Sequence, residues 1–335
     1  MPRRALQPTE SPSPLEFAGD AGPFDIIGDV HGCAAELVRL LHRLGYRRPS
    51  PRQAFRHPAG RRAVFLGDLV DRGPGVVRAM RIAMRMVAEG SALSVPGNHE
   101  VTVLRALETT ARRESAGTLK TIRQIRWLPA PERRRFVDRF RAYVARLPPH
   151  LVLDRGRLAV AHAGIRTEHL GTDSPEGRRF SIHGQTTGET DRYGLPVRVN
   201  WAADYSGKPL VVYGHTPVGR PEWIGRTVNI DTGCVYGGSL TALRYPEMKL
   251  VSVKAARAYY RPRRSLPSGV GLRAETRSRA GSPGLSGTKP AQGVAERSSP
   301  FGSPPQSPGA APRSRPAPRS ASHPGHSSRT EWSRE

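Results

Sequence analysis

Short apolar runs alternate with amphipathic stretches through most of the chain. Phe24–Ile27 is an apolar-rich run leading into Gly28-Asp29, and it predicts a strand. Leu37, Leu40, Leu41 and Leu44 follow at i, i+3, i+4 and i+7, with Gly45 as a stop, and predict a helix. The alternation repeats. Residues 63–66 predict a strand, Val77, Met80, Met84 and Val87 a helix ended by Gly90, and residues 92–95 a third strand. Phe136, Phe140, Tyr143 and Leu147 mark a helix stopped by Pro148-Pro149. The pattern then turns to strands with few helices between them: Leu158–Ala161, Leu210–Tyr213, 228–230, 240–243 and 250–253. An α/β first half followed by a β-rich second half predicts an α/β (α+β) domain of two packed mixed β-sheets flanked by helices.

The periodicity runs from about residue 23 to residue 260. Beyond Tyr260 the chain is Pro, Ser, Gly and Arg with almost no aromatic residues. Such a segment buries too little surface to offset its ordering entropy, so 261–335 is expected to be a disordered tail and 1–22 a shorter disordered lead. The tail holds 13 Lys and Arg against 4 Asp and Glu, a net of +9, within a chain of net +25. That excess makes polyanions, nucleic acid among them, natural partners. Residues 165–208, rich in Gly, Thr and charge, are expected to form an insertion over the site. The two cysteines, Cys33 and Cys234, are too few for a disulfide framework and fit a reducing, cytoplasmic setting. The chain has no long apolar run and no signal-like apolar segment, so no membrane association or secretion is expected.

The candidate chemistry sits where the predicted strands end. The first three run into GDVHG (28–32), GDLVDRG (67–73) and PGNHE (96–100), and two later ones into AHAG (161–164) and YGHT (213–216). Each places a Gly beside an Asp, Asn or His. Strand C-terminal ends share one edge of a sheet, so these loops can converge on one crevice. Asp29, His31, Asp68, Asn98, His162 and His215 are the ligand candidates. Mixed carboxylate, amide and imidazole donors suit Mn, Fe, Co, Ni or Zn, with Mn expected first, better than Ca or Mg. The set contains no thiolate, unlike a structural zinc site. Two carboxylates shared by two dications leave a positive surplus, which a phosphoryl group complements.

The order of these motifs resembles the calcineurin-like metallophosphoesterases of the phosphoprotein-phosphatase-type branch, over residues 24–255. A narrower resemblance is to the phosphatase module of bacterial polynucleotide kinase-phosphatase. It rests on DVHGCAAEL, TTGETDRYGLPVR (186–198), VVYGHTPV (211–218), PEW (221–223) and IDTGCVYGGSLTALR (230–244). The diadenosine tetraphosphatases of the same branch share the five core motifs. The chain departs from the first of these relatives in having His183-Gly184-Gln185 before Thr186. No GxxxxGK[ST] loop precedes the motifs and no lysine-centred nucleotidyl-transfer motif follows them, so the module is expected to be free-standing.

The resemblance implies roles. Asp29 and His31 would hold one metal, Asn98, His162 and His215 the other, and Asp68 would bridge them. His99 would protonate the leaving group, oriented by Asp71, which would also raise its pKa. Arg72 and Asn98 would hold the substrate phosphate, Arg72 in bidentate fashion. The expected activity is metal-dependent hydrolysis, by activated water, of phosphomonoesters of nucleic-acid ends or nucleotides, or of 2′,3′-cyclic and other phosphodiesters. The alternatives are a Ser/Thr protein phosphatase or a diadenosine tetraphosphatase.

Overall fold

Central strands buried on both faces, with alternate side chains in different clusters, show how the layers stack. The computed structural model describes residues 13–109 and 114–261, all within one unit, Met1–Arg273. The first half runs β1 (Phe24–Ile27), α1 (Ala34–Leu44), β2 (Arg62–Phe65), α2 (Val76–Ala88), β3 (Ala92–Ser94), α3 (Asn98–Glu108), α4 (Ala116–Arg126) and α5 (Ala130–Ala145). The second half runs β4 (His150–Leu153), β5 (Leu158–Ala161), α6 (Pro175–His183), β6 (Thr186–Thr190), β7 (Pro196–Arg198), β8 (Leu210–Tyr213), β9 (Glu222–Ile224), β10 (Thr227–Asn229), β11 (Ser239–Tyr245) and β12 (Lys249–Lys254).

Two five-stranded mixed sheets result, ordered β12-β11-β1-β2-β3 and β4-β5-β8-β10-β9. Phe24 and Ile26 of β1, Val64 of β2 and Leu243 of β11 share one buried cluster with Leu158 and Val160 of β5, Val212 of β8 and Val228 of β10. Those side chains come from both sheets, so the sheets pack face to face. The alternate residues point the other way. Ile27, Ala63, Phe65 and Ala242 meet the leucines of α1, the methionines of α2 and Phe136 and Phe140 of α5. Ala159, Ala161, Val211 and Tyr213 meet Ile165, Phe180 of α6, Trp201 and Ala202. Apolar residues of the segment 165–208 therefore form the outer layer on the second sheet. Its one strand pair, β6 with β7, is a separate hairpin.

Part of the expected lead is ordered. Residues 13–22, assigned to a disordered lead from composition, carry defined contacts. Val152 N–H donates to Pro14 O at 3.0 Å, Asp154 N–H to Asp20 O at 2.8 Å, and Arg155 N–H to Ala18 O at 2.7 Å. The reason is β4, an edge strand whose outward N–H groups need acceptors. Phe17 adds an apolar contact to the core between the sheets. Residues 1–12 and the expected tail from 262 onward lie outside the described residues.

Both sheets contain a parallel trio, β1-β2-β3 in the first and β5-β8-β10 in the second. Parallel strands put their carboxyl ends on the same edge, and so the five motif loops leave the two sheets together. The face-to-face packing sets how those edges meet. Replacing fully buried Ile26 with Ala should cost about 2–5 kcal/mol of stability; urea unfolding of the full chain measures it, and a loss below about 1 kcal/mol would show that the two sheets are not tightly packed there.

Candidate metal centre

Five of the eight non-glycine residues with positive φ among the described ones lie in the motif loops: His31, Asp68, Asp71, Arg72 and His215. Left-handed backbone costs each about 1–2 kcal/mol. Such strain persists only where surrounding contacts over-determine it. The carboxylate of Glu100 supplies several of those contacts. It accepts N–H bonds from Asp68 at 2.8 Å, Leu69 at 2.7 Å, Val70 at 3.2 Å and Gly97 at 2.9 Å, tying the loop after β2 to the start of α3. The two loops touch so closely that a Cβ on Gly97 would lie 2.1 Å from Asp68 Oδ1.

The imidazoles are oriented from behind. His31 Nδ1–H donates to Val70 O at 2.8 Å, and His162 Nδ1–H to Leu66 O at 2.9 Å. Each Nε2 is thereby left with its lone pair directed into the crevice. His31 Nε2 lies 3.4 Å from Asp68 Oδ2, and His162 Nε2 lies 3.4 Å from Asp68 Oδ1, 3.1 Å from Asn98 Oδ1 and 3.0 Å from His215 Nδ1. Two clusters of donors emerge, His31–Asp68–His99 and Asp68–His162–His215, each with its donor atoms within 4.8 Å of one another. Asp68 belongs to both. Asp29 falls in neither cluster; its carboxylate accepts from His215 N–H at 3.2 Å and borders Gly214.

The electrostatics match a cation-binding crevice. Burial, then Asp231 and Asp68, push Asp29 well above the ordinary carboxylate range. Burial first, and then proximity to Asp68, push Asp231 up to about 7. Burial also opposes ionisation of Asp68, but His162, His99, His31 and His215 outweigh it and hold that carboxyl low. Burial keeps His31, His162 and His215 below the usual imidazole value, hence neutral. Neutral imidazoles and an ionised, shared carboxylate are the protonation states in which these groups bind metal. Crowded buried carboxyls, two of them pushed towards protonation, lie beside the Nε2 lone pairs of His31 and His162, an arrangement that two divalent cations would stabilise, so the residues fit the group.

Beside this cluster stands the second expected set. His99 Nδ1–H donates to Asp71 Oδ2 at 2.6 Å, and Thr118 and Thr121 donate to the same carboxylate at 3.0 and 2.7 Å. Burial lowers the His99 pKa, but Asp68 and Asp71 outweigh it, and the net shift is upward. Arg72 Nη2 donates to His99 Nε2 at 2.8 Å, its other Nη contacts His31 Nε2, and Lys120 Nζ donates to Arg72 O at 2.8 Å. All the expected site residues thus lie around one crevice.

Several contributors were missed in the sequence. Glu100 stands in the GNHE motif, but its role depends on contacts with a loop about thirty residues away. Thr118, Lys120 and Thr121 ride on α4, a helix with too weak an apolar stripe to announce itself. Asp231 did carry a signal, for IDTG follows a strand with the same Gly-and-Asp grammar as the other motifs. As a third buried acid it also reduces the positive surplus counted from Asp29 and Asp68 alone.

The sequence pattern described as calcineurin-like phosphoesterase matches residues 22–253. The chain is 42% identical over 235 residues to bis(5′-nucleosyl)-tetraphosphatase PrpE (asymmetrical) of Geobacillus sp. strain WCH70, covering 70% of this chain and 95% of that one. It is 43% identical to the protein of that name from Halalkalibacterium halodurans, over 69% of this chain and 93% of the relative. For the Geobacillus thermodenitrificans protein of that name the figures are 44%, 69% and 94%.

Two substitutions test how the crevice is held. A Cβ on Gly214 would stand 2.2 Å from Asp29 Oδ1, so Gly214→Ala should displace that carboxylate and weaken metal binding at least about tenfold, read by metal titration. Glu100→Gln presents an NH2 to N–H donors and should lower both thermal stability and metal affinity, with a stability loss of about 1–3 kcal/mol. Wild-type metal affinity in both variants would contradict the assignment.

Proposed function

We propose, from the premise that the chain belongs to the calcineurin-like phosphoesterase family and is a hydrolase of phosphoester bonds, that its substrate is a bis(5′-nucleosyl) tetraphosphate, cleaved asymmetrically. The observation that supports this most is the 42–44% identity, over nearly the whole length of the relatives, to proteins carrying that activity in their names. It favours the diadenosine tetraphosphatase alternative over phosphomonoesters of nucleic-acid ends, the reading placed first from the sequence. The net charge of +25 suits any of these polyanions and does not separate them.

An unequal division of four phosphates that leaves a phosphate on each nucleoside has one form: water adds at phosphorus, one P–O–P bond breaks, and a nucleoside monophosphate and a nucleoside triphosphate result. When bound, two divalent cations of the Mn type would polarise the phosphoryl oxygens and lower the pKa of the attacking water. Asp29, His31, Asp68, Asn98, His162 and His215 would hold them, with Asp68 shared. Arg72, which reaches His31 and His99, would clamp the phosphoryl oxygens of the substrate. Asn98 would contribute to the same task. His99, held by Asp71 through Nδ1, would give a proton to the departing oxygen from Nε2 in its protonated form, in which Arg72 no longer donates to that nitrogen.

The leaving group makes that last role conditional. A departing phosphate oxygen has a pKa of about 6 and needs little protonation at neutral pH, unlike an alkoxide. No helix among the described residues is long and apolar enough to cross a membrane. The two free cysteines are buried, which fits the reducing cytoplasm as the place of action.

Turnover with Mn of diadenosine tetraphosphate, a 3′-phosphorylated oligonucleotide and a phosphopeptide, side by side, tests the reading. The expected result is a kcat/KM at least about a hundredfold higher for the dinucleotide, with AMP and ATP as products. Preference for the oligonucleotide or the peptide, or two ADP as products, would overturn it. His99→Ala should lose about two to four orders of magnitude on an alkyl phosphomonoester and much less on the dinucleotide. Equal losses on both would sink the acid assignment.

A further inference from the structure

A cavity of about 740 Å³ adjoins the crevice and shares His215 with it. One wall comes from the β6–β7 hairpin, through Arg192, Tyr193 and Arg198. Another comes from the stretch after His215, through Arg220 and Trp223 of β9. Its size lies within the range of small-molecule sites, about 300–1,000 Å³. None of its aromatic or basic side chains beyond His215 has a part in the chemistry derived above.

Two large aromatic side chains on this cavity remain exposed, Trp223 at 44% and Tyr193 at 42%. Exposed aromatic faces beside a cavity are available for stacking. Trp223 is not placed loosely: β9 pairs with β10, and Trp223 stands opposite Val228 in the register. The Arg192 guanidinium lies 4.9 Å from the Tyr193 ring centroid, and Arg198 Nη1 donates to His183 O at 2.9 Å. Arginines and flat apolar faces therefore line one space that opens onto the phosphate-processing crevice.

A dinucleoside polyphosphate makes a matching demand. Only one phosphorus can sit at the metals. The other phosphates need cationic donors, which arginine supplies with bidentate geometry, and each base offers a π-face that stacks on an aromatic ring. A phosphopeptide or an inorganic polyphosphate makes no call on Trp223.

We propose that this cavity is the subsite for one nucleotide arm of the substrate, with Trp223 and Tyr193 receiving the base and Arg192, Arg198 and Arg220 the flanking phosphates. This rests on the dinucleoside polyphosphate reading above and says which residues set that specificity. The arm enters past His215, and the base contacts lie on a rigid strand and a hairpin tip. Trp223 and Tyr193 are specificity-determining residues; they touch neither the reacting phosphorus nor its metal ligands.

The test compares a ligand that carries a nucleoside with one that has the bare phosphate chain: the β,γ-imido analogue of ATP and its nucleoside-free counterpart imidotriphosphate, each titrated calorimetrically into the full metal-loaded chain at equal free Mn. The wild type should bind the nucleotide at least about tenfold more tightly. Trp223→Ala should remove most of that gap, Trp223→Phe should keep it, and all three proteins should share one thermal midpoint, because the side chain is half exposed. For diadenosine tetraphosphate, Trp223→Ala should raise KM about tenfold and leave kcat within about twofold. Equal binding of the two ligands by the wild type, or a gap that survives in the Trp223→Ala/Tyr193→Ala double variant, overturns the subsite. A wild type that shows the binding gap but does not hydrolyse the dinucleotide supports the subsite and overturns the proposed substrate instead.

Discussion

Three buried carboxylates, Asp29, Asp68 and Asp231, share one crevice with imidazole lone pairs that have no protons to offer them. Burial and mutual repulsion push Asp29 and Asp231 towards protonation, and bound cations would take the place of those protons; the rest of the structure depends on this concentration of electron pairs out of water. It explains why the motif loops accept left-handed backbone at His31, Asp68 and His215, and why glycines stand where loops nearly collide. Glu100 closes the arrangement: a fourth buried acid, satisfied by four backbone N–H groups, turns two loops into one rigid frame.

The fold serves this crevice by parallel pairing. β1, β2 and β3 in one sheet, and β5, β8 and β10 in the other, bring their carboxyl ends to a common edge because the sheets pack through Phe24, Ile26, Val160 and Val228. Those strands were legible in the sequence, being apolar runs closed by Gly beside a polar ligand. The six ligand candidates were legible with them, for each follows such a run directly. β4 and β9 were harder to see, since His150 and Trp223 interrupt short segments at sheet edges. α4 escaped notice because its buried positions, Thr118 and Thr121 among them, are polar and answer to Asp71 rather than to an apolar core. The role of residues 13–22 depends on the unpaired edge of β4, a partner that no local pattern announces.

Reaction and substrate are divided between two regions of the same domain. The crevice belongs to the loops common to calcineurin-like phosphoesterases and answers for phosphoester hydrolysis. The adjoining cavity takes Ala163, Gly214, His215 and Thr216 from those loops, and its other walls come from the β6–β7 hairpin and β9, elements outside them. Recognition can therefore differ between members of the family through those outer walls while the loops stay the same.

Asp68 is shared between the two donor clusters, and electron paramagnetic resonance of the chain loaded with Mn tests what that sharing does. A carboxylate in both clusters predicts about two Mn per chain and the multiline spectrum of an exchange-coupled pair. It also predicts that Asp68→Asn replaces this spectrum with that of isolated ions or loses the metal. A wild type that binds a single ion, or two that show no coupling, would contradict it.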